Sequence, residues 1–364
     1  MKILHCHSTF NLGGKEARAV RLMNAFGDAA QHTILSAVPD ALNARDAIEP
    51  GIKVDFPGDA PSLIGKPAIG RYLTLSAYMK RFDLVLSYNW GSMDVVGARR
   101  LFPSGCPPLI HHEDGFNLDE AVKLNWKRSA YRRLMLPTAK ALVVPSQKLE
   151  AIARDSWRRT SVRIPNGINI SAYAVPPAHD AVPGFTRSNG DIIIGTLAGL
   201  RAVKNLPKLV RAFATLPTHA KLVIIGEGPE RAAIMAEAKR LSVADRIIMP
   251  GFLAAPHRYI GLFDIFALSS DSEQFPISLV EAMAAGLPIV STDVGDVRAM
   301  VAEPARPFVV PVSDEATFAA RLGELVADQD LRARIGAANQ ALAVADYDED
   351  VMISRYAKLY GIEA

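Results

Sequence analysis

The sequence predicts an α/β protein of two Rossmann-like domains, each with a parallel sheet covered by helices. Along most of the 364 residues, short apolar strands alternate with helical patterns, and βα alternation favours parallel sheets. The alternation runs through two series of similar texture, separated by a stretch at 165–191 that is rich in Pro, Gly, Asn and Ser. Such composition is typical of an interdomain connection. The chain length also favours two domains.

The first series occupies 1–168. It opens with the strand pattern KILHCHS, followed by a glycine-containing turn and an amphipathic helix. Further buried strands are predicted at HTILSAV, FDLVLSY, PPLIHHE and AKALVVPS. We expect a terminal helix at about 346–364 to pack back on this domain.

The second series occupies 185–345. Its strand patterns are DIIIGTLAGL, AKLVIIGEG, RIIMPG and DIFALSS, with helical patterns at NLPKLVRAFATL and PERAAIMAEAKRLSV. Ligands of such sheets bind outside the carboxyl ends of the strands. We therefore expect the two sheets to face a cleft that holds the functional site.

Composition excludes several classes of function. A net charge of +3 does not indicate a nucleic-acid-binding protein, whose basic excess is larger and clustered. The two cysteines, Cys6 and Cys106, form no spaced framework, which is typical of a reducing cytoplasm. The N-terminus lacks the apolar core of a signal peptide, and no apolar run reaches the roughly 20 residues of a membrane span. We expect a cytoplasmic protein.

Two strand–helix turns could bind an anion. After the first strand, Gly13 and Gly14 allow the backbone to approach a ligand at a helix N-terminus, although the pattern is neither GxGxxG nor a Walker loop. In the second series, Arg201 and Lys204 lie between a strand and a helix, and two cations there suit a diphosphate. The alternatives are an ordinary turn and a solvated loop with two exposed cations.

The stretch EQFPISLVEAMAAGLPIVST, at 273–292, places Glu273 and Glu281 eight positions apart. Pro276 is tolerated in a first helical turn, so we predict that a helix begins near it. Gly286 fits the C-cap of that helix. Glu273 therefore lies in the preceding loop and Glu281 on the helix, so the two acids are not stacked on one helix face. The backbone amides at the helix N-terminus can hold an anionic or hydroxyl-rich ligand.

With these features the chain resembles the retaining GT-B glycosyltransferases of the GT4 family, also called glycosyl transferases group 1. The features that carry the resemblance are GGKE, the turn with Arg201 and Lys204-Asn205, IIGEGPE, and the two glutamates followed by AMAAGLPIV. PSQ at 145–147 and IPNGIN at 164–169 are similar to the family's interdomain crossing.

The resemblance implies a GT-B fold with an interdomain cleft. It implies transfer of a hexosyl group, with retention, from a UDP- or GDP-sugar to a glycan or lipid acceptor, without a metal or other cofactor. Two alternatives stay open: a GT-B epimerase of nucleotide sugars and a non-catalytic nucleotide-sugar-binding protein.

The resemblance also implies roles for residues. Glu273 would act at the donor sugar and reacting centre, Glu281 would bind the ribose, and Arg201 and Lys204 would hold the diphosphate. The donor-binding set is Gly13, Gly14, Arg201, Lys204, Phe275, Pro276, Ile277 and Glu281. The chain departs from the family at Gly199, where an arginine is common, and at Gln274, where a glycine is common.

The family's catalytic histidine has three candidate positions. His111, His112 and Asp114 all follow from the pattern LIHHEDGF, and the register among them is open. A histidine with a structural role is the alternative. His5-Cys6-His7 follows no zinc spacing, and His5 and His7 share one strand face, so we predict a buried, hydrogen-bonded pair and no metal site.

The segment 121–149 carries seven lysines and arginines and no acid, interleaved with Trp126, Tyr131, Leu134 and Met135. One interpretation is a basic amphipathic helix that associates peripherally with an anionic membrane, at its inner face. The other is a surface helix with a solvated basic face and an apolar stripe toward the core.

Overall fold

A computed structural model describes residues 1–65, 68–116, 120, 124–273 and 275–363. The chain divides into two compact units. Unit 1 comprises Met1–Asn166 with Val351–Ala364, and unit 2 comprises Gly167–Asp350. The helices within the described ranges include none with the length and apolar character needed to cross a membrane.

Unit 1 is built on a seven-stranded parallel sheet. Its strands are β1 (Lys2–His7), β2 (Gln31–Ser36), β3 (Val54–Asp55), β4 (Leu84–Tyr88), β5 (Leu109–His112), β6 (Ala141–Val144) and β7 (Val162–Arg163). Their order in the sheet is β3-β2-β1-β4-β5-β6-β7. The central strands are buried on both faces, which accounts for their nearly continuous apolar sequences.

Helices cover both faces of this sheet. They are α1 (Gly14–Phe26), α2 (Ile69–Met79), α3 (Met93–Leu101), α4 (Trp126–Met135) and α5 (Gln147–Trp157). One apolar cluster lies against α1 and includes Met23 and Phe26, and another lies against α2, α3 and α5 and includes Leu75 and Trp157. Unit 1 therefore has a layer of core on each side of its sheet.

Unit 2 repeats the design with six parallel strands. They are β8 (Ile192–Leu197), β9 (Ala220–Ile225), β10 (Ile247–Gly251), β11 (Ile265–Leu268), β12 (Ile289–Thr292) and β13 (Val309–Val310). Their order is β10-β9-β8-β11-β12-β13. In both units the strand order reverses beside the first strand, at β1/β4 and at β8/β11, and such switch points are where doubly wound sheets bind ligands.

The helices of unit 2 are α6 (Leu206–Ala214), α7 (Arg231–Arg240), α8 (Ile277–Ala284), α9 (Val297–Met300), α10 (Glu315–Ala327) and α11 (Gln329–Asp346). The stretch interpreted from sequence as a connection contributes to this unit. Ile168, Ile170, Val182 and Phe185 are buried in its core. The Pro- and Gly-rich composition therefore marks an irregular but packed segment.

The terminal helix, α12, runs from Glu349 to Tyr360. Its buried residues Tyr356, Ala357 and Tyr360 belong to the apolar cluster that lies against α1. Just before α12, Asp348 pairs with Ile168. A side chain at Gly167 would place its Cβ 2.7 Å from the carbonyl oxygen of Asp348, so the close approach of these two segments requires glycine.

Candidate functional site in unit 2

Two chain segments meet at the switch point of the unit 2 sheet. The turn at 198–205 follows β8, and the loop at 269–276 follows β11, which is the neighbour of β8 in the sheet. The two segments are about 70 residues apart in the sequence, yet the strand order makes them adjacent. Residues predicted separately from each segment are thereby brought together.

The pair Lys204–Glu273 is the centre of this meeting point. Lys204 Nζ lies 2.5 Å from Glu273 Oε1, and Ser270 Oγ donates to the same carboxylate oxygen at 2.7 Å. Both charged side chains are mostly buried, at 15% and 12% exposure. A cation that can hold a phosphate therefore lies beside a carboxylate that can accept hydrogen bonds from sugar hydroxyls.

Asp271 connects the loop at 269–276 to the turn at 198–205 and to α6 through hydrogen bonds. Its backbone N–H donates to the Val203 carbonyl at 2.8 Å. Its carboxylate accepts from Asn205 Nδ2 at 2.9 and 3.1 Å and from Lys208 Nζ at 3.1 Å. Ser269 Oγ adds a bond to the Lys204 carbonyl at 3.0 Å. This set of bonds fixes the register of the turn against the loop, and hence the distance between Lys204 and Glu273.

Sequence reasoning did not identify Ser270, Asp271 or Lys208. Lys208 is 5% exposed and also donates to the Val312 carbonyl at 3.0 Å. A lysine in the first turn of a predicted helix is ordinarily solvent-exposed, and its burial depends on partners from distant segments. The polar run SSDSE after a buried strand is the only local signal of this cluster.

The glycines of IIGEGPE lie in the loop after β9 and contact the turn at 198–205. A Cβ on Gly226 would lie 1.9 Å from the Ala198 carbonyl oxygen, and one on Gly228 would lie 2.5 Å from that of Leu200. Both glycines also have positive φ, at 144° and 154°. The motif is therefore needed so that the loop after β9 can pack directly on the turn that carries Lys204.

The structure confirms the helix predicted to begin between the two glutamates. Pro276 is the N-cap residue of α8, and Gly286 follows its end with φ +73°. Glu273 lies in the preceding loop and Glu281 within α8. Burial of the Tyr259 hydroxyl, followed by the nearby negative charge of Glu281, raises the pKa of Tyr259. Phe275 and Ile277 flank the N-cap, are half-buried and pack against the core of unit 2.

Arg201 and Lys204 occupy different environments. Arg201 is exposed and starts the short 3₁₀ turn Ala202–Lys204 as its N-cap, whereas Lys204 is held by Glu273. Gly199, where the family commonly has arginine, precedes this turn. Gln274, the other departure from the family pattern, lies outside the described residues.

In unit 1, Gly13 is the N-cap of α1 and Gly14 its first residue. No side chain caps this helix, and the space beside Gly14 is open. The first turn also carries Lys15, which pairs with the buried Glu16. The prediction that this turn meets an anion stays a prediction.

His111 and His112 end β5 and are both buried. His111 Nδ1 lies 2.9 Å from Ser87 Oγ, and His112 Nε2 lies 2.8 Å from the Tyr360 hydroxyl. Burial, with the nearby Arg18 charge, lowers the pKa of His112 well below its usual range, so this ring is neutral at pH 7. Their catalytic role stays a prediction.

Asp114, the third candidate position, forms an ion pair with the buried Arg18. Asn166 accepts a further hydrogen bond from Arg18 at 2.9 Å. Sequence analysis assigned no role to Arg18. The Asp114 carboxylate, which follows β5, is therefore already paired with Arg18 of α1.

His5 and His7 are buried on one face of β1, as predicted. The prediction that both rings are hydrogen-bonded is wrong for His7, whose two nitrogens have no hydrogen-bond partner among the described residues. His5 Nδ1 lies 3.2 Å from the Tyr88 hydroxyl and His5 Nε2 lies 3.0 Å from His32 Nδ1, while the ring of His7 stacks on Tyr88. Over the described ranges, the His, Cys, Asp and Glu side chains form no group of three or more placed to hold a metal ion.

The basic segment 121–149 is only partly the solvated face that one interpretation expected. Arg132 is 1% exposed and pairs with Glu113 and Glu120 at 2.9 and 3.3 Å. Conversely, Trp126 and Leu134, expected in the apolar stripe, are 74% and 59% exposed. Arg132 is buried because Glu113 and Glu120, which lie outside the segment, compensate its charge. Lys123 lies outside the described residues.

Comparison with known proteins shows similarity to one family over part of the chain. Residues 182–341 match the family model described as glycosyl transferases group 1. Among curated proteins, the chain is 27% identical over 175 residues to N-acetyl-alpha-D-glucosaminyl L-malate synthase of Bacillus anthracis, covering 48% of this chain and 46% of that protein.

A second relative is the N-acetylgalactosamine-N,N'-diacetylbacillosaminyl-diphospho-undecaprenol 4-alpha-N-acetylgalactosaminyltransferase of Campylobacter jejuni. The chain is 30% identical to it over 171 residues, covering 47% of this chain and 46% of that protein. In such matches the chain spans about half the length of the curated relatives.

Solved structures match over the whole chain. The chain is similar to HepE of Anabaena in complex with UDP, with a TM-score of 0.80, 19% identity and 99% coverage of both chains. It is also similar to sucrose-phosphate synthase of Thermosynechococcus elongatus, with a TM-score of 0.77, 20% identity and coverage of 99% and 98%. The fold is therefore GT-B, as predicted.

Proposed function

We propose that this chain is a glycosyltransferase of the group 1 family, whose model matches residues 182–341, and that it transfers a hexosyl group from a UDP- or GDP-sugar to a glycan or lipid-linked acceptor, with retention. The observation that carries the proposal is the Lys204–Glu273 pair at the switch point of the unit 2 sheet. It combines a phosphate-binding cation with a sugar-binding carboxylate within the residues matched by the family.

In the proposed donor complex, Lys204 binds the diphosphate and Glu273 lies at the sugar. A diphosphate carries more negative charge than one carboxylate, so it competes effectively for the Lys204 ammonium now held by Glu273. Lys204 then neutralises charge as the bond between the anomeric carbon and the diphosphate breaks. Arg201 assists at the phosphates and Glu281 binds the ribose. An acceptor oxygen attacks the anomeric carbon on the face that the diphosphate leaves, and a hydroxyl acceptor passes its proton to the departing diphosphate.

The names of similar proteins support a nucleotide-sugar donor. HepE was solved with UDP and with UDP-glucose, and the Campylobacter relative is named for a lipid-linked diphosphate acceptor. We propose that this chain uses donors and acceptors of the same classes, without a metal ion. We also propose peripheral association with an anionic membrane through 121–149, since exposed Trp126 and Leu134 lie on α4 with exposed Lys127 and Arg133.

The test is a thermal-shift screen of UDP- and GDP-sugars, followed by a transfer assay with the donor that stabilises the chain. Ligand binding to the native state raises Tm by mass action. We expect one nucleotide class to raise Tm, and transfer to persist in EDTA. An incubation with donor alone tests the epimerase alternative, because an epimerase converts the sugar without an acceptor. No shift with any nucleotide sugar would contradict the proposal.

Membrane association is tested separately by liposome sedimentation. Binding should require anionic lipid and weaken with salt, because the basic side chains are attracted to a negative surface. Equal sedimentation with neutral and anionic liposomes would rule it out.

A further inference from the structure

Unit 1 contains a cavity of about 470 Å³ that the donor chemistry of unit 2 does not use. Leu63, Trp90, Asp94, Lys127, Arg128 and Tyr131 are among the residues that line it. Trp90 follows β4, which is one of the two strands at the switch point of the unit 1 sheet. The cavity therefore lies where a doubly wound sheet ordinarily binds a ligand.

The charges around the cavity leave a positive excess. Lys127 and Arg128 are its cations. Its acid, Asp94, is already paired with Arg71 and accepts a hydrogen bond from the Tyr72 hydroxyl at 3.2 Å.

Arg128 has an acidic neighbour of its own, Glu120, at 3.1 Å. That carboxylate also contacts the buried Arg132 at 3.3 Å, and Arg132 has Glu113 as a second partner at 2.9 Å. Among the described residues these two acids balance the two arginines, and Lys127 is the cation in excess. An anion entering the cavity would meet Lys127 and Arg128 while Asp94 is neutralised, and this environment suits a phosphate.

The wall beside these cations is aromatic. Trp90 and Tyr131 meet edge to face with ring centroids 5.6 Å apart, and the Arg128 guanidinium lies 5.2 Å from the Trp90 ring. Exposed large apolar side chains adjoin two of the lining residues in the sequence. Ile64, next to Leu63, is 61% exposed, and Trp126, next to Lys127, is 74% exposed. Their exposed surface is apolar area that a lipid chain can cover.

We propose that this cavity binds the phosphate of an acceptor that carries an apolar chain, that is, a lipid phosphate. Lys127 and Arg128 hold the phosphate, and the chain extends over Ile64 and Trp126. This inference names the acceptor class within the proposed glycosyl transfer and rests on that function. The same phosphate chemistry is found in a free sugar phosphate, which lacks the apolar chain, so the two sources can be separated.

Intrinsic fluorescence tests the proposal directly, since the three tryptophans, Trp90, Trp126 and Trp157, all belong to unit 1. The probe is geranyl phosphate, titrated below its aggregation limit into the full chain. We expect saturable quenching. Geraniol, inorganic phosphate and glucose phosphate should each bind at least about tenfold more weakly, because each lacks one of the two contacts. Equal affinity for glucose phosphate would overturn the lipid assignment.

Matched variants on α4 locate the site. Lys127→Glu reverses the charge of an exposed lining residue and should weaken geranyl phosphate binding by roughly tenfold or more. Arg133→Glu makes the same charge change at an exposed position of α4 that does not line the cavity, and should leave affinity within about twofold. Equal effects of the two variants would show general electrostatic attraction and overturn the proposal.

The outcomes separate this inference from the function on which it rests. Binding is measured without donor, so absence of sugar transfer would not remove a saturable, Lys127-dependent signal. If geranyl phosphate fails to bind while sugar transfer to another acceptor is measured, the inference fails and the proposed function stands. Binding that occurs only to anionic vesicles would also overturn it, since a membrane-docking face would explain that result.

Discussion

Replacing Asp271 by Asn should lower both the stability of unit 2 and the rate of sugar transfer. The substitution keeps the shape of the side chain but removes the charge that faces Lys208, whose side chain is 6% exposed. Breaking a fully buried pair costs about 3–5 kcal/mol. Because the Asp271 side chain is 44% exposed, solvent screening reduces this cost. We expect the free energy of unfolding of unit 2 to fall by about 1–2 kcal/mol. Each kcal/mol corresponds to a decrease of about 2–4 °C in Tm.

The effect on transfer follows from the bonds that Asp271 makes to the turn. Without the carboxylate, Asn205 and Lys208 lose their charge-assisted hydrogen bonds to Asp271, which join the turn to the loop. The turn also carries Lys204, and small displacements of reacting groups lower rates strongly. We expect kcat to fall roughly tenfold or more, with a smaller rise in the donor KM. Steady-state kinetics with the donor found by the thermal-shift screen measure both.

Two further variants separate positioning from stability. Asp293→Asn removes an ion pair with Arg298 whose side chains are 36% and 47% exposed, so stability should change by less than about 0.5 kcal/mol and kcat by less than about twofold. The double variant Asp271→Asn/Lys208→Met removes the unpaired cation and should recover stability but not kcat. Recovery of kcat in the double variant, or an unchanged kcat in Asp271→Asn, would refute the reasoning.

Other predictions concern donor binding, acid stability and the glycine motif. Lys204→Met should weaken donor affinity by roughly tenfold or more, because a charge-assisted bond to phosphate is lost; calorimetric titration measures it, and an effect no larger than that of Arg298→Met would contradict it. Unit 1 should lose stability as pH falls below about 6.5. Its buried His5, His7, His32 and His112 have lowered pKa values, chiefly through desolvation, so the unfolded state binds more protons in that range. The pKa of His32 is about 4, which corresponds to about 3 kcal/mol lost once pH falls below that value. Denaturant unfolding followed by tryptophan fluorescence at several pH values measures the effect, and equal stability at pH 7 and pH 5 would exclude it. Gly228→Ala should destabilise unit 2 by roughly 2 kcal/mol or more, since a Cβ would meet the Leu200 carbonyl at 2.5 Å. Gly190→Ala also has positive φ but open space and should cost less; equal losses would refute the steric explanation.

The fold was predictable where strands were long enough to show a pattern. The central strands of both sheets, such as β1 and β8, appeared as apolar runs before glycine-containing turns. The two-residue strands β3, β7 and β13 were not predicted, because two residues carry no periodicity. Short edge strands form through pairing with a neighbour already in place.

The candidate site was predictable where local chemistry decides. Pro276 places Glu273 before the helix and Glu281 within it because proline favours a helix start, and Gly286 follows the helix end because glycine tolerates positive φ. The contact between Lys204 and Glu273 depends instead on β8 lying next to β11. That neighbourhood is a property of sheet order, which a local sequence pattern does not contain.

Buried charges were the least predictable feature. Arg132 was assigned to a basic segment, but it is buried by Glu113 and Glu120, which lie outside that segment. Lys208 is buried for the same reason, through Asp271 and the Val312 carbonyl. A charged residue is buried only where a partner compensates for lost hydration, and these partners come from distant parts of the chain.

The most direct test of the Lys204–Glu273 site compares sugar transfer and donor binding in Glu273→Ala with those of the unaltered chain. The substitution removes the carboxylate proposed to act at the sugar but leaves Lys204 to hold the diphosphate. We expect transfer to fall by roughly a hundredfold or more, while donor binding measured by calorimetry survives at reduced affinity. Transfer at an unchanged rate would contradict the assignment of Glu273, and with it the proposed donor site.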